Sequence, residues 1–294
     1  MHRHDRSVVD APEGSDLYYC LLWIPTAVRK SFLARWSLIN AINTTLHDVH
    51  DPGVAEQKVH WWHEEFERLF QGEARHPSTA ACSESLEGSR DATMRLLDVL
   101  SVAASTRFES PDTDAVHRER HERDQQARLS LLAHALSTRS FDLAADMFRL
   151  PDLCFALGLR DEIARLPVLL HRGYAVFSDA RYARHALIPE ALARDLRRAD
   201  ADAEGAADGV DNRRRMVADV VQEACDAIEG ARASSDYRRA LADPAWTPLL
   251  RLHALRAHEL GLWRDKRPDL LRERTVATPL RRFFIAWRYR RTSR

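Results

Sequence analysis

Apolar side chains recur at intervals of three and four residues along most of this chain, and this repeat constrains the fold more than any other feature. After Pro25 the spacing places five side chains on one face of a helix: Phe32, Leu33, Trp36, Ile39 and Ile42. Asp51 and Pro52 are the residue types preferred at the cap and the first position of a helix, which we expect to stop at Gly72. No stretch alternates as a strand does, so the pattern predicts an all-α bundle.

The same periodicity predicts the remaining helices and the surface segments. Further helices are expected over residues 88–107, 113–137, 151–170, 210–232 and 246–262. Residues 199–211 are acidic and poor in apolar side chains, which is typical of a loop, and the charged run over residues 117–128 is typical of a solvated helix face. The length fits one large domain or two small ones, and we predict a single domain over residues 15–294 after a disordered tail over residues 1–14.

Charge and cysteine usage exclude several classes of protein. The 44 basic side chains are balanced by 44 acidic ones, which argues against a nucleic-acid partner. The first 14 residues lack the apolar region of a signal peptide, and no apolar run is long enough for a membrane span. Four cysteines lie far apart, so they indicate neither a zinc knuckle nor a redox pair, and a reducing cytoplasm is the expected setting. They are Cys20, Cys82, Cys154 and Cys225.

The amino-terminal part carries a more specific pattern. Its landmarks are Ser15, Tyr18, Tyr19, Pro25, Lys58, Trp61, Trp62, Glu65, Gly72, His76 and Pro77. Their order resembles the squalene/phytoene synthase family, in which a Ser-x-x-Tyr-Tyr start, a Pro-led helix, a Lys-x-x-Trp-Trp helix, a Gly and a His-Pro pair follow one another. The resemblance covers most of the chain, with strong landmarks over residues 15–77, and it implies the isoprenoid (terpenoid) synthase helical bundle.

The first acidic motif of that family is missing here. In the family, an Asp-Asp-x-x-Asp cluster ends the Pro-led helix and binds magnesium ions that bridge to a diphosphate. The landmarks place Asn43, Thr44 and His47 at the three aspartate positions. Neutral Asn and Thr supply weak oxygen ligands, and a histidine suits transition metals better than magnesium.

The second acidic motif of the family, Asp-x-x-x-Asp, is also absent from its expected place. Arg172 and Gly173 match the Arg-Gly pair that follows it, which puts Arg165 and Leu169 at the two aspartate positions. Asp161 and Glu162 lie one helical turn upstream, so a register shift would supply one carboxylate but no pair four residues apart.

We therefore expect a non-catalytic homologue without a cofactor, which binds an apolar or isoprenoid ligand or assists protein or membrane assembly. An active head-to-head prenyl diphosphate transferase in isoprenoid biosynthesis, using magnesium, is the alternative. A phosphate-bearing ligand would be held by the cations of Arg165 and Arg172, unless Arg165 instead pairs with an acid one turn away. The candidate binding residues are Tyr18, Tyr19, Asn43, His47, Arg165 and Arg172.

One branch of the family resembles this chain more closely than the true synthases do. The mitochondrial complex I assembly factor of this fold has an Asn in a comparable segment and an apolar-Trp-Arg ending. Here Ile42-Asn43-Thr44-Thr45-Leu46 and Ile285-Ala286-Trp287-Arg288 are similar. These short matches strengthen the expectation of lost catalysis.

A cluster of histidines and acids spans the end of one helix and the start of the next. It comprises His47, Asp48, His50, Asp51, His60, His63, Glu64 and Glu65. A transition-metal site, as in a metal-dependent hydrolase, is one interpretation; polar, solvent-facing helix ends are the interpretation we prefer, because the spacing matches no zinc motif. The adjacent Trp61 and Trp62 must point in different directions, so at least one is expected in the core.

The carboxyl-terminal segment over residues 279–291 predicts a basic amphipathic helix. Its apolar face comprises Leu280, Phe283, Phe284 and Trp287. Such a helix either docks on the bundle with extended arginines, which we prefer, or contacts an anionic membrane surface at the inner face of a membrane. A partner protein is a further expectation.

Overall fold

The computed structural model describes residues 11–47, 49, 51–83, 86, 90–106, 109–136, 150–190, 192, 207–270, 273 and 275–291. Most of the tail predicted over residues 1–14 lies outside these ranges, and so do residues 199–206 of the predicted loop. The described residues form helices without strands, so the predicted all-α class is confirmed.

The helices follow one another with short connections. They are α1 Asp16–Leu21, α2 Thr26–His47, α3 Pro52–Phe70, α4 Pro77–Ala80, α5 Arg90–Thr106, α6 Asp114–Ala133, α7 Pro151–His171, α8 Asp179–Arg184, α9 Ala207–Ala233, α10 Ser235–Ala242, α11 Thr247–Lys266 and α12 Pro279–Arg291. A 3₁₀ turn over Pro244–Trp246 precedes α11. The short helices α1, α4, α8 and α10 were not predicted, because they span too few residues to show a periodic stripe.

Local sequence signals explain where several helices begin and end. Asp51 caps α3, and its carboxylate accepts a hydrogen bond of 3.0 Å from the backbone N–H of Val54. Thr113 caps α6 in the same way through Val116. Gly72 follows α3 with a φ of +81°, a conformation that any side chain would strain. In contrast, Ala207–Asp211 form the first turns of α9 rather than the end of the predicted loop.

The long helix α7 is the centre of the bundle. It packs between α6 and α9, and α11 contacts both α7 and α9. On the other side, α3 and α5 pack together beside α2, where Phe32, Trp62 and Phe66 are fully buried. Trp61 is 40% exposed and Trp62 is 1% exposed, so the prediction that one of the two lies in the core is confirmed.

The carboxyl-terminal helix α12 docks on α1 and α11. Ala286 is fully buried, Ile285 packs beside it, and the Arg282 guanidinium lies 3.3 Å from the Asp16 carboxylate. The apolar face defined by Leu280, Phe283, Phe284 and Trp287 stays exposed, between 36% and 73% for each residue. Phe283 also packs against Trp23, with the ring centroids 5.9 Å apart, so the docking uses one edge of this face together with Ala286. No helix in the described ranges combines the length and the apolar character that a membrane crossing requires.

Candidate functional site

A cavity of about 390 Å³ lies inside the bundle, which is within the usual size range of small-molecule sites. Its walls come from α2, α5, α6, α7, α11 and the segment after α7. The apolar part of the lining comprises Trp36, Ile39, Leu46, Leu100, Leu129, Leu132, Leu169, Val176 and Leu252. The cavity can therefore bind an apolar group against these side chains.

The polar part of the lining carries more positive than negative charge. Five arginines line the cavity together with three carboxylates, Asp124, Asp161 and Glu162. The arginines are Arg120, Arg128, Arg160, Arg165 and Arg256. Two uncharged amides, those of Asn40 and Asn43, are the polar groups that α2 contributes. Glu259, which lies outside the lining, pairs with Arg160, so five arginines face four acids, and the remaining positive charge favours an anionic group inside the cavity.

Each of the three carboxylates is paired with cationic or titratable groups of the protein. Asp161 lies 2.9 Å from Arg160 and 3.0 Å from Arg256, and Asp124 lies 2.7 Å from Arg128. Burial raises the pKa of Asp161, but the charges of Arg256 and Arg160 outweigh this and lower it overall. Each of the three carboxylates is thus paired through at least one oxygen, while Asp124 Oδ1 is buried without a hydrogen-bond partner in the described structure.

Arg160 ties this lining to the rest of the bundle. Its guanidinium bonds to Glu259 of α11 as well as to Asp161, and Glu259 is 4% exposed. Burial lowers the pKa of Arg160, but the neighbouring Asp161 and Glu259 raise it above its ordinary value, so it stays charged. The network fixes α7 against α11 at the cavity wall.

The third carboxylate, Glu162, belongs to a compact cluster that joins α6 and α7. Its Oε2 lies 3.1 Å from Nε2 of His117 and 3.1 Å from Nε2 of His121. The two Nε2 atoms are themselves 3.1 Å apart. His117 is 3% exposed, and its Nδ1 is buried without a hydrogen-bond partner in the described part of the chain. We call these three side chains the His-His-Glu cluster.

The electrostatics of the His-His-Glu cluster follow from its burial. Desolvation raises the pKa of Glu162, but the charges and hydrogen bonds of His117 and His121 lower it to about 2. Desolvation lowers the pKa of His121, but Glu162 and more distant acids raise it overall. Glu162 is therefore an anion under ordinary conditions and the imidazoles are its closest partners.

This cluster was not predicted from the sequence, because the charged run over residues 117–128 is typical of a solvated face. The structure corrects that prediction: His117, Gln125 and Gln126 are buried, although Glu119 and Arg123 are exposed as expected. The spacing His117, His121 and Gln125 repeats every four residues, and this polar stripe was the available signal.

The residues predicted to bind a ligand divide into two groups. Asn43 and Arg165 line the cavity, and so does Leu169 at the second aspartate position. Tyr18 and Tyr19 are not among the lining residues; they pack near α11 and α12. Arg172 caps the end of α7, outside the lining.

The first acidic-motif positions on α2 are described in part. Thr44 is exposed and does not line the cavity. His47 ends α2, and its side chain lies outside what the structure describes. Whether any of the predicted residues binds a ligand stays a prediction.

The cluster of histidines and acids between α2 and α3 contains a structural carboxylate. Glu65 is fully buried and accepts hydrogen bonds from the backbone N–H groups of Arg75 and His76, at 2.8 and 2.7 Å, and from the Thr79 hydroxyl at 2.6 Å. It therefore holds the turn after α3. His60 pairs with Glu64 at the exposed surface, while Asp48 and His50 lie outside the described residues.

Solved structures resemble most of this chain, among them the following two. The crystal structure of the squalene synthase HpnC from Alicyclobacillus acidocaldarius matches with a TM-score of 0.61 and 18% identity, over 85% of this chain and 88% of that chain. A crystal structure of a dehydrosqualene synthase in complex with ligand matches with a TM-score of 0.60 and 12% identity, over 94% of this chain and 95% of that chain. No protein-family model and no curated protein sequence matches the chain. The likeness confirms the isoprenoid synthase fold that the sequence resemblance implied.

Proposed function

We propose that this protein binds a molecule with an apolar body and an anionic head in the cavity, and that it does not ionise prenyl diphosphates. The observation that carries the proposal is the composition of the lining, in which five arginines accompany three carboxylates that are already paired. The fold is that of proteins described as a squalene synthase and a dehydrosqualene synthase, so an isoprenoid-like body is the first ligand class to test.

Among the described residues, none of the aspartate positions that the family resemblance assigns carries a carboxylate, which argues against magnesium-assisted ionisation. Magnesium prefers several oxygen ligands, and a diphosphate leaves quickly only when metal ions or preorganised donors hold it. Loss of a single such donor typically lowers a rate by about 10²–10³. The described lining has Asn40 and Asn43 on α2 and Arg165 and Leu169 on α7, so two such clamps would be missing together.

Arginines can hold an anionic head without a metal ion. A guanidinium donates two parallel hydrogen bonds to a phosphate, and each charge-assisted bond contributes about 1.5–3 kcal/mol. Arg165 faces the cavity, and burial lowers its pKa. A bound anion would offset that burial, so we expect Arg165 to contribute directly to affinity.

Calorimetric titration with farnesyl diphosphate, farnesyl monophosphate and farnesol tests the proposal. Affinity should increase with the charge of the head and should not change when magnesium is replaced by EDTA. Equal affinities for farnesol and farnesyl diphosphate would show that the arginines do not bind the head group. Binding that requires magnesium would instead favour the active prenyl transferase.

Matched variants locate the site. Arg165→Gln should weaken binding of the diphosphate about tenfold or more, because one charge-assisted contact is lost. Arg215→Gln is the control, since Arg215 lies on α9, is mostly exposed and does not line the cavity. Equal affinities of the two variants would place the ligand elsewhere.

A second function is favoured by the exposed face of α12. Leu280, Phe283, Phe284 and Trp287 present apolar side chains to solvent, and the exposed Arg281 and Arg288 lie beside them. Aromatic side chains beside arginines favour the headgroup region of an anionic membrane. We propose that this face makes peripheral contact with such a surface, and a partner protein at the same face stays a prediction.

Vesicle sedimentation tests this contact. Wild-type protein should bind vesicles that contain an anionic lipid and should not bind neutral vesicles. Phe284→Glu replaces a phenylalanine that is 57% exposed with an acid, which an anionic surface repels, and should abolish binding. The control Val102→Glu alters a similarly exposed apolar residue on α5 and should leave binding intact. Equal behaviour of the two variants would exclude α12 as the contact.

A further inference from the structure

The His-His-Glu cluster has the shape of a metal-binding face. Its three facing atoms, Nε2 of His117, Nε2 of His121 and Oε2 of Glu162, form a triangle with every edge 3.1 Å long. A metal ion about 2.1 Å from each ligand requires ligand atoms about 3.0 Å apart in octahedral geometry and about 3.4 Å apart in tetrahedral geometry. The observed edges fall between these two values, so the spacing of the three atoms matches that of ligands to one ion.

The side chains are held in this arrangement from behind. The ring of His117 packs against Phe177, and the ring of His121 packs against Phe155; both phenylalanines are fully buried. The two histidines are one turn apart on α6, so they project from the same face of one rigid helix. Glu162 approaches them from α7, the helix that packs most closely beside α6.

Gly158 makes the approach between the two helices possible. A Cβ at this position would lie 2.6 Å from Nδ1 of His121 and 2.8 Å from its Cβ, distances that only a displacement of the whole of His121, backbone included, could relieve. A glycine inside a helix is about 1 kcal/mol less favourable than alanine. Its presence opposite His121 lets the imidazole reach Glu162.

We propose that His117, His121 and Glu162 bind a divalent transition-metal ion, of the zinc or ferrous iron class, at the wall of the cavity. Two imidazoles and one carboxylate suit these ions, whereas magnesium prefers oxygen ligands alone. Three protein ligands leave at least one coordination position unfilled, as in catalytic rather than structural zinc sites. Because all three residues line the cavity, a water molecule can take that position.

This site is independent of the proposed ligand binding. It differs from the magnesium sites that the family resemblance implies, because neither Asn43 on α2 nor Leu169 on α7 takes part. If the protein binds no metal ion, the arginines can still bind an anionic head. If it binds no anionic head, the His-His-Glu cluster can still bind a metal ion.

Metal titration of the full chain tests the proposal. Protein treated with EDTA and dialysed should bind Zn²⁺ with a stoichiometry of one per chain, measured by competition with a chromophoric chelator. Co²⁺ should give the visible absorption of an ion bound by nitrogen and oxygen. Excess Mg²⁺ should not compete. Binding of less than a tenth of an equivalent of Zn²⁺ would overturn the proposal.

Matched variants separate this site from surface histidines. His121→Ala and Glu162→Gln should each weaken Zn²⁺ binding by at least about a hundredfold, since removal even of an outer partner of a metal ligand lowers affinity about 10–100-fold. His60→Ala is the control, because His60 and Glu64 form an exposed pair with the same four-residue spacing. Unchanged binding in His121→Ala, or equal loss in His60→Ala, contradicts the site.

Gly158→Ala keeps all three ligands and gives a test that does not depend on their removal. Its added methyl group should displace His121 and change the Co²⁺ spectrum together with the affinity. Gly261→Ala, on α11 where an added Cβ would meet no neighbouring atom within 4 Å, is the matched control and should bind as wild type does. Circular dichroism of each variant confirms that the bundle is intact. Identical spectra for the two glycine variants would rule out His121 as a ligand.

Discussion

The buried imidazole of His253 makes stability depend on pH in a way that can be calculated. His253 lies on α11, is 1% exposed, and neither of its ring nitrogens has a hydrogen-bond partner in the described structure. Burial, with a smaller contribution from the charges of Arg232 and Arg256, lowers its pKa from 6.5 to about 3. The ring of Tyr237 packs 5.7 Å away and completes its surroundings.

The sign of the effect follows from which state takes up the proton. The unfolded chain binds a proton on His253 as the pH falls below 6.5, whereas the folded protein does not until about pH 3. The stability contributed by the neutral imidazole is therefore complete above pH 6.5 and is lost as the pH falls towards 3. From these two pKa values the loss at pH 5 is about 2 kcal/mol.

The assay compares the free energy of unfolding in urea at pH 7 and pH 5 for the wild type and for His253→Phe. The phenylalanine cannot titrate, so the wild type should lose about 2 kcal/mol more than the variant between the two pH values. Other shifted groups, including His76 and His258 with lowered pKa values and His121 with a raised one, are common to both proteins and cancel.

A control variant guards against a general effect of histidine removal. His60→Phe replaces a side chain that is 77% exposed, so its pH dependence should match that of the wild type within about 0.5 kcal/mol. If wild type and His253→Phe lose the same stability between pH 7 and pH 5, the burial of His253 is wrong.

Two further predictions concern the helical hairpin of α2 and α3. Glu65→Gln should lower the free energy of unfolding by about 2–4 kcal/mol, because a buried carboxylate that accepts several hydrogen bonds is lost. The control Glu64→Gln at the surface should change the free energy of unfolding by less than about 0.5 kcal/mol. Similar losses in the two variants would exclude the structural role of Glu65. In urea unfolding, Trp62→Ala should lower the free energy of unfolding by about 3–5 kcal/mol and Trp61→Ala by less than about 1 kcal/mol, because only Trp62 is fully buried. A larger loss in Trp61→Ala would show that α3 turns Trp61 rather than Trp62 towards the core.

The sequence predicted the helices because their signals are local. The apolar stripe of α2 and the Asp51 cap of α3 involve residues within a few positions of each other, so they can be recognised without knowledge of the fold. The family landmarks added the identity of the fold, which the comparisons confirm. The landmarks assigned Asn43 and Arg165 to the two acidic motifs of the family, and in the structure both side chains line the cavity.

The His-His-Glu cluster could not be predicted in the same way. Its carboxylate is 45 residues from His117 and 41 from His121, so the contact depends on how α6 and α7 pack. The charged neighbours Glu119 and Arg123 dominated the local pattern and concealed the buried face of α6. Docking of α12 on the bundle was the preferred prediction, but the contact through Ala286 was not predicted, since one small buried residue contributes little to a stripe.

The release of inorganic diphosphate from farnesyl diphosphate tests the central claim most directly. Purified protein is incubated with the substrate and magnesium, with and without EDTA, and the released diphosphate is measured with a coupled enzymatic assay. Because the described carboxylates of the cavity are paired with cations or histidines of the protein, we predict no release above the protein-free control in either condition. Release that depends on magnesium and disappears with EDTA would contradict the account.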